Sequence, residues 1–299
     1  MKNALLIANA NAGTADHENI EAAISALRGS FEIRVTETGT PIELDAAIEL
    51  RVKDEMVIIA DGDGSLHAVI RSLYDAGNLQ DVVLGLIPLG TGNDFARGAS
   101  VSLDPAEAAQ GLRSGTEDPV DLIIDDTGGI AINAVHLGAS AEAGDAAQSW
   151  KSRLGKVGCV FGALVAGFSK QGLHERIEVD GAEVSHSRVA SVAINNGPFV
   201  GGGTRLGTGA DPASGLLHIH VSHAYGPLSR LGYAFQVRLG SHVKRQDVVA
   251  LRGHSISVSG EPFTYSADGE IEGNISGRTW TVRPGAVRML LTASPTEDR

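Results

Sequence analysis

The sequence predicts a three-layer α/β domain followed by a β-rich domain of the sandwich or barrel type, on three observations. The chain has 299 residues, and roughly 150 residues per domain corresponds to about two domains. Short apolar runs alternate with helical patterns in the first third, which is typical of a parallel sheet with right-handed crossovers. Later, strand-like runs separated by Gly, Asp and Asn turns replace the helical periodicity. We therefore expect domains at 1–122 and 123–299.

The first domain contains four predicted strands, at 4–8, 31–36, 56–60 and 82–87. Apolar residues between the first two strands recur at 20, 23, 24 and 27, so they share one face of a helix. The next helix begins with a capping box, because Thr40 precedes Glu43 by three residues and Pro41 takes the first helical position. A third helix is predicted at 66–76. Since parallel strands end at one edge of a sheet, we expect ligand-binding loops at 9–13, 61–65 and 89–94.

The second domain contains strand-like runs at 120–124, 130–135, 188–194, 217–221, 255–258 and 279–283. One helical insert is predicted at 149–169. Three histidines, His218, His220 and His223, lie on or just after one of these strands. Because alternate strand residues share a face, they could hold a metal ion. The alternative is a half-exposed strand that carries polar rings.

The composition excludes several classes of protein. Lys and Arg total 24 against 36 acidic residues, a formal charge of −12, whereas a nucleic-acid binder needs a basic surface. The single cysteine, Cys159, excludes an intramolecular disulfide or a cysteine-based zinc cluster. The longest uncharged apolar stretch, between Lys156 and Lys170, is shorter than the ~18 residues that a membrane span needs. We expect a soluble, cytoplasmic protein without a transmembrane segment.

A glycine-rich loop, Asp61–Ser65, follows the third predicted strand and precedes a helix. Glycines there let backbone N–H groups approach an anion at the helix N-terminus. Asp63 could bind Mg²⁺, directly or through water. The alternative is a simple strand–turn–helix connection built from turn-forming residues.

The third of the expected ligand-binding loops lies within Pro88–Arg97, a segment that follows the fourth predicted strand. It combines two glycines with a hydroxyl, an amide, a carboxylate and a guanidinium group, which is typical of a phosphate and metal site. The alternative is again a turn with a helix cap. Neither a Walker A sequence nor a Rossmann glycine fingerprint is present at these loops.

Together the three loops resemble the diacylglycerol kinase catalytic-domain family, which includes bacterial lipid kinases and sphingosine kinases. The resemblance extends over nearly the whole chain. The segment Pro88–Arg97 matches the family motif at every position, which is highly specific, and Asn9–Gly13 and Asp61–Ser65 match its first two loops approximately. Asp268-Gly269-Glu270 resembles the family's C-terminal Asp-Gly-Glu motif. Asn196-Gly197-Pro198 resembles part of the glycine-rich stretch in the family's second domain.

The resemblance implies an ATP- and Mg²⁺-dependent lipid kinase, with ATP between a nucleotide-binding first domain and the second domain. Glu270, with Asp268 beside it, would be the catalytic residue that accepts the proton of the lipid hydroxyl. Mg²⁺ would be organised around the phosphates by Asp63 and Asp94. The strand near 286–291 would pack back on the first domain. The implied ATP-binding residues are Asn9, Ala10, Asn11, Ala12, Gly13, Thr36, Gly62, Asp63, Gly64, Ser65, Leu66, His67, Ala68, Gly90, Thr91, Gly92 and Asn93.

The chain departs from the family pattern in the nucleotide loops. Ala10 replaces a proline, and His67 and Ala68 replace an Asn-Glu pair, so one acid of the ATP or metal network is missing. Asp61 replaces a glycine. A carboxylate ~5 Å from a phosphate oxygen is repelled by roughly 3 kcal/mol at an effective dielectric constant near 20, so Asp61 must point away or share the Mg²⁺.

A further departure concerns a structural Mg²⁺ that bacterial members of the family bind through an aspartate. Ser214 stands at that position. The resemblance therefore implies only a weak structural site, at Asp211 and Leu216.

Two other functions stay open. The departures at Asp61, Ala68 and Ser214 are compatible with a nucleotide-binding regulatory protein that has lost kinase activity. A kinase of a soluble substrate such as NAD is the third hypothesis, because NAD kinases have a similar glycine loop. The intact loop at 88–97 and Glu270 favour the lipid kinase.

The expected partners are a lipid substrate at the membrane surface and, through exposed edge strands, a second copy of the chain as a homodimer. The insert around 155–168 is apolar with basic flanks, so it is interpreted either as a lipid-entry surface or as a core helix of the second domain.

Overall fold

The computed structural model describes residues 1–10, 14–138 and 172–291, which form two compact units. Unit 1 comprises Met1–Val120 and the segment that begins at Gly285, and unit 2 comprises Asp121–Pro284. The predicted insert at 149–169 and loop positions 11–13 lie outside the described residues. Within the described ranges, no helix is both long enough and apolar enough to cross a bilayer.

Unit 1 is built on a parallel sheet whose strand order is β4-β3-β1-β2. Its strands are β1 (Lys2–Asn9), β2 (Phe31–Thr38), β3 (Met56–Asp61) and β4 (Val83–Pro88). The last described strand, β14 (Glu270–Leu291), adds a fifth strand, because Arg288 and Met289 pair in parallel with Val83 and Leu84 of β4. The four predicted strands are therefore present, each within a few residues of its expected bounds.

Helices cover both faces of this sheet and give three layers. They are α1 (Thr14–Leu27), α2 (Pro41–Glu49), α3 (Asp63–Asp75), α4 (Asp94–Gly98) and α5 (Pro105–Ser114), with a 3₁₀ turn at Leu79–Asp81. On one face α1 packs against α5, and on the other α2 packs against α3. Successive side chains of β1 point to opposite faces of the sheet. Leu6 is buried on the face that α1 and α5 cover, and Leu5 and Ile7 are buried on the other face.

Local sequence explains where two of these helices begin. The predicted capping box at α2 is present: the Thr40 hydroxyl accepts from the Glu43 amide, and the Glu43 carboxylate accepts from the Thr40 amide. Asp104 caps α5 by accepting from the Glu107 amide at 2.9 Å.

Unit 2 is an antiparallel β-sandwich. Its strands are β5 (Thr116–Asp125), β6 (Ile130–Ala131), β7 (Ala134–Gly138), β8 (Leu173–Val179), β9 (Ala182–Val189), β10 (Ser191–Asn195), β11 (Leu217–Ser222), β12 (Val248–Gly253), β13 (Ser255–Ala267) and the first part of β14. The core contains aliphatic residues from most of these strands together with Phe263, Tyr265 and Trp280. The chain enters this unit within β5 and leaves it within β14.

Two details of unit 2 differ from the sequence prediction. The run expected at 188–194 is two strands, because the Ala190 amide leaves the β9 direction and donates to Ser222. In addition, the described residues contain a helix that the sequence reading missed, α6 (Pro227–Arg238), followed by a 3₁₀ turn at His242–Lys244.

The interpretation of β11 as a half-exposed strand is wrong. His218 and His220 are buried, at 5% and 3% exposure, since β11 lies between β10 and β12 with α6 residues packed near one face. The His220 ring bonds the Leu206 carbonyl and lies 3.3 Å from the His242 ring nitrogen. Burial lowers the pKa of His220 and of His242 to about 4, so both rings are neutral at pH 7. The described residues hold no group of three or more side chains suited to a metal ion.

Glu175 is a buried acid in the sandwich. Its side chain is 2% exposed and borders a small pocket lined by Leu137, Leu173, Val258 and Phe263. Neither carboxylate oxygen has a hydrogen-bond partner among the described residues. Burial, with a smaller contribution from Glu261, raises the pKa of Glu175 to about 7. Folding therefore favours the protonated form of this carboxyl group.

We expect Glu175→Gln to remove a pH dependence of stability. The folded-state pKa of about 7 lies above the ordinary value of 4.5, so the folded state binds more protons between these values and the wild type loses stability as pH rises through this window. Urea unfolding at about pH 5 and about pH 8 gives the free energy of unfolding of both proteins. Relative to the wild type, the variant should be more stable at the higher pH than at the lower one. Glu178→Gln, at a glutamate paired with Arg176, is the control. An equal difference at both pH values would contradict the prediction.

Candidate active site

The carboxyl ends of β1, β3 and β4 meet at one edge of the unit 1 sheet. Ala8 pairs with Ala60, and Asp61 pairs with Pro88, so the three following loops start side by side. The strand order reverses between β1 and β3, since β2 lies on one side of β1 and β3 and β4 on the other. Ligands in open α/β sheets bind outside the carboxyl ends at such a switch point.

Asp61 ties two of these loops together. Its Oδ2 accepts from the Asn9 side-chain amide at 3.1 Å and from the Ser65 hydroxyl. The carboxylate is therefore engaged by neighbouring side chains of unit 1. Asn9 and Ser65 thus fix the orientation of one Asp61 oxygen at the edge of the sheet.

Gly62 and Gly90 bring the second and third loops into backbone contact. A Cβ atom on Gly62 would lie 3.0 Å from the Gly90 Cα, and one on Gly90 would clash with the Gly62 Cα and approach the Asn93 Oδ1 at 2.9 Å. The two glycines are thus required for a close approach of backbone to backbone. Both glycines are also among the implied ATP-binding residues, and this packing role was not predicted from the sequence.

Asp63 has a structural partner that the sequence did not reveal. Its Oδ2 accepts from the Asp94 amide at 2.9 Å and its Oδ1 from the Phe95 amide at 3.0 Å. It therefore caps the first turn of α4 and holds Asp94, which is 7% exposed, next to the second loop. The two residues implied to organise Mg²⁺ are therefore neighbours in unit 1, joined through the Asp94 backbone amide.

Asn93 shapes the turn between these elements. Its φ of +52° is left-handed, a conformation that asparagine tolerates better than most residues. The Asn93 amide donates to the Gly90 carbonyl at 2.6 Å, while its Oδ1 is buried without a hydrogen-bond partner in the described chain.

The N-terminus of α3 has the features of an anion site. The helix begins at Asp63, three residues before the predicted start, and no side chain of the described residues caps it. A Cβ atom on Gly64 would meet nothing within 4 Å. The first-turn amides are therefore not capped by a described side chain, and the Cβ direction of Gly64 is open, so an anion could be bound there.

The remaining predicted nucleotide residues differ in their surroundings. Leu66 is fully buried and its amide donates to the Gly62 carbonyl, so it belongs to the core rather than to an open surface. His67 is 8% exposed. Partly or fully exposed positions are Ala10, Thr36, Ala68, Thr91 and Gly92, whereas Asn11, Ala12 and Gly13 lie outside the described residues.

In unit 2, the Asp-Gly-Glu motif forms the tight turn between β13 and β14. Asp268 and Gly269 have φ values of +49° and +99°, the left-handed pair of a two-residue hairpin. The Asp268 carboxylate accepts from the amides of Ile132, Asn133 and Ala134, at 2.7, 2.9 and 3.0 Å. Glu270 follows at once, paired with Ala267 and exposed. Asp268 therefore positions the turn that presents Glu270.

A second hairpin of the same build occurs between β8 and β9. Asp180 and Gly181 have φ values of +50° and +78°, and the Asp180 carboxylate accepts from the amides of His254 and Ser255, both at 2.8 Å. An Asp-Gly hairpin turn can thus be purely structural, so the sequence at 268–270 is also compatible with a simple turn followed by an exposed acid. Any catalytic role depends on what surrounds the turn.

Buried polar groups behind the Asp268 turn set it apart. The Asn196 amide donates to the carbonyls of Asp121 and Ile132, and Asn133 supplies its carbonyl to the backbone of Asn196. His136 lies close by, and burial lowers its pKa to about 4 although Asp268 opposes the shift. Sequence reasoning missed Asn133 and His136; only the pairing of β7 with β13 brings them to the turn.

The loop at 211–216 fits a structural Mg²⁺ poorly. The Ser214 hydroxyl donates to the Asp211 carbonyl at 2.8 Å and to the Leu216 carbonyl at 3.3 Å. The Asp211 carboxylate accepts from the Ala213 amide. A neutral hydroxyl thus closes the loop where Mg²⁺ would prefer a carboxylate oxygen.

The chain matches two family models. Residues 3–124 match the diacylglycerol kinase catalytic domain, and residues 133–291 match the YegS C-terminal NAD kinase beta sandwich-like domain. A Stenotrophomonas maltophilia protein named probable lipid kinase YegS-like is 28% identical over 304 residues, 95% of this chain and 94% of that protein. A Klebsiella pneumoniae protein of the same name is 31% identical over 225 residues, 73% of each chain.

A solved structure agrees with these matches at the level of the fold. The crystal structure of a putative diacylglycerol kinase from Bacillus anthracis superposes with a TM-score of 0.81 over 98% of each chain, at 22% identity. The predicted fold class and family resemblance are therefore confirmed. The chain belongs to the family of YegS-like lipid kinases, in which a diacylglycerol kinase catalytic domain precedes a YegS-type β-sandwich domain.

Proposed function

We propose that this lipid kinase transfers the γ-phosphate of ATP, as its Mg²⁺ complex, to the hydroxyl of a diacylglycerol-like or long-chain lipid. The observation that carries the proposal is the open N-terminus of α3 at the switch point of the sheet. First-turn amides, an uncrowded Gly64 and two neighbouring acidic residues are what a polyphosphate and its cation require.

Mg²⁺ suits the acidic side of this site. A magnesium ion carried by nucleotide phosphates needs only one or two carboxylates from the protein. In this proposal Asp94 and Asp63 supply them, although each Asp63 oxygen also accepts a hydrogen bond from a backbone amide of α4. Bound there, the cation would neutralise the charge that develops on the phosphates.

Glu270 is the proton acceptor in this proposal. Phosphoryl transfer depends mainly on positioning and charge neutralisation, and a carboxylate that receives the proton of the attacking hydroxyl completes it. Glu270 is exposed on a turn that three backbone amides hold in place. We assign it the role of general base and Asp268 that of a positioning residue.

The structural surroundings favour an active kinase over a regulatory protein. Asp61 is held by Asn9 and Ser65 within unit 1, so the replacement of a glycine does not by itself disable the loop. The Ser214 hydroxyl bonds two carbonyls of its own loop, so the replacement of an aspartate there is accommodated locally. Ala68 replaces a glutamate of the family, and this departure still favours the regulatory hypothesis.

Transfer of labelled phosphate from ATP-Mg²⁺ into an organic-extractable product tests the proposal. The panel should contain diacylglycerol, a long-chain amino alcohol and, as the soluble alternative, NAD. We expect label in the lipid phase with at least one lipid and none in NAD. Label in NAD alone would establish the soluble-substrate hypothesis. ATP binding without transfer to any acceptor would favour the regulatory one.

Gly64→Ala tests the phosphate site separately from the fold. Side chains on a helix tilt toward its N-terminus, so the added methyl group would lie where the phosphates are proposed to bind. Because that space is open, we expect an unchanged or higher melting temperature, with ATP affinity lower by about tenfold, or ~1.4 kcal/mol. Calorimetric titration with a non-hydrolysable ATP analogue measures the affinity. Unchanged affinity would place the phosphates elsewhere.

A further inference from the structure

Helix α6 exposes its apolar side. Leu228, Leu231, Phe235 and Leu239 are 84%, 51%, 59% and 61% exposed. Their spacing of three, four and four residues places them on one side of the helix. A surface helix normally turns that side toward the core, so four large exposed apolar side chains in a row need a partner.

The opposite side of α6 is firmly attached to unit 2. Tyr233 and Val237 are almost completely buried in a cluster with Leu206 and Val248. This attachment fixes the rotation of the helix about its axis. The exposure of the apolar side is therefore a property of the fold.

Polar contacts hold the first turn of α6 in the same orientation. The Ser229 hydroxyl donates to the Asp247 carboxylate at 2.7 Å. Arg245 donates to Asp247 and to Ser229, at 2.6 and 2.9 Å. The loop after the helix therefore clamps its N-terminal end, and the apolar side stays outward along the whole length of α6.

The surroundings of this apolar side are basic in an otherwise acidic protein. Residues 225–252 contain five Lys or Arg and a single acid, Asp247, whereas the whole chain has a formal charge of −12. That acid is already paired with Arg245. Arg238 in the last turn of α6 and Lys244 in the following 3₁₀ turn are both exposed. Positive charge is thus concentrated at the C-terminal end of the exposed side.

We propose that the exposed side of α6 docks on an anionic lipid bilayer. The four apolar side chains would enter the boundary between headgroups and acyl chains, and Arg238 and Lys244 would contact lipid phosphates, as in amphipathic helices that lie in the membrane interface. The charge complementarity favours this occupant over a second copy of an acidic chain. The inference goes beyond the proposed function and is independent of it, because binding to the membrane needs neither ATP nor an acceptor hydroxyl.

Vesicle co-sedimentation of the full chain without nucleotide tests the proposal. We expect binding to phosphatidylcholine vesicles that contain phosphatidylglycerol to be about tenfold or more tighter than binding to phosphatidylcholine alone, and to weaken with added salt. The double variant Leu231→Ser/Phe235→Ser should bind at least about tenfold more weakly to the anionic vesicles. The double variant Arg238→Glu/Lys244→Glu should lose the preference for anionic lipid.

The matched control is Ile42→Ser/Leu50→Ser, which removes two apolar side chains of 81% and 74% exposure in and after α2. It should bind vesicles like the wild type. All variants change exposed side chains, and melting curves verify that each is folded. Two results would overturn the proposal: equal binding of wild type and the α6 double variant, or a wild-type dimer in analytical ultracentrifugation that the α6 variant dissociates without any change in vesicle binding.

Discussion

Replacing Glu270 by glutamine is expected to lower phosphate transfer to lipid by about 10²- to 10⁴-fold, the usual contribution of a positioned general base. The amide keeps the size of the side chain and loses its ability to take up a proton. Because Glu270 is exposed, the melting temperature and the affinity for ATP should stay unchanged. Initial rates with the preferred lipid, at saturating ATP-Mg²⁺, give the measurement.

The second Asp-Gly hairpin of unit 2 provides matched controls. Glu183→Gln changes the acid that follows the Asp180 turn and should leave transfer intact. Asp268→Asn should lower both transfer and stability, because an asparagine amide faces three N–H donors with only one acceptor oxygen. Asp180→Asn should lower stability alone. If Glu270→Gln is as active as the wild type, Glu270 is not the general base. Only the proposed nucleotide site of unit 1 would then remain.

Gly90→Ala is expected to destabilise the fold of unit 1 by about 1–3 kcal/mol or more, the range for overpacked interiors. The added methyl group would meet the backbone of Gly62 and the Asn93 side chain, and backbone gives way less easily than a flexible side chain. Any relief would push the second and third loops apart. We therefore also expect a loss of ATP affinity larger than that of Gly64→Ala.

Gly277→Ala is the control for this prediction. A Cβ atom there would lie 3.7 Å from its nearest neighbours in unit 2, an ordinary contact. Denaturant unfolding followed by circular dichroism compares the two variants with the wild type. A Gly90→Ala protein as stable as Gly277→Ala would show that the two loops move apart without cost.

The sequence predicted unit 1 better than unit 2, for a physical reason. The signals used at β1, at the capping box of α2 and at the glycine loops are local, since they need only neighbours along the chain. The role of Asp63 at α4 involves residues 31 and 32 positions later, so no local pattern reveals it. The sequence pattern singled out Asp63 as a candidate Mg²⁺ ligand but did not reveal this contact.

In unit 2 the decisive interactions are between strands. The polar alternation of β11 indicated a half-exposed strand, and the error arose because distant residues bury the strand: the His220 ring contacts the Leu206 carbonyl and the His242 ring. The side chain of Asp268 reaches back across more than 130 residues. The Asp-Gly turn at 268–269 is not distinctive by itself, because the hairpin at Asp180 has the same dipeptide and similar φ values. The sequence at 268–270 therefore suggested a function only through the family resemblance.

The pairing of β4 with the end of β14 imposes an order on biosynthesis. Val83 leaves the ribosome about 200 residues before its partner Arg288, so one edge of β4 stays unpaired through most of translation, exposed to wrong partners. A truncation before Gly285 should leave the first 120 residues prone to aggregate, even though they contain every nucleotide loop. The unit 1 sheet can therefore be completed only after residues 288 and 289 have been synthesised.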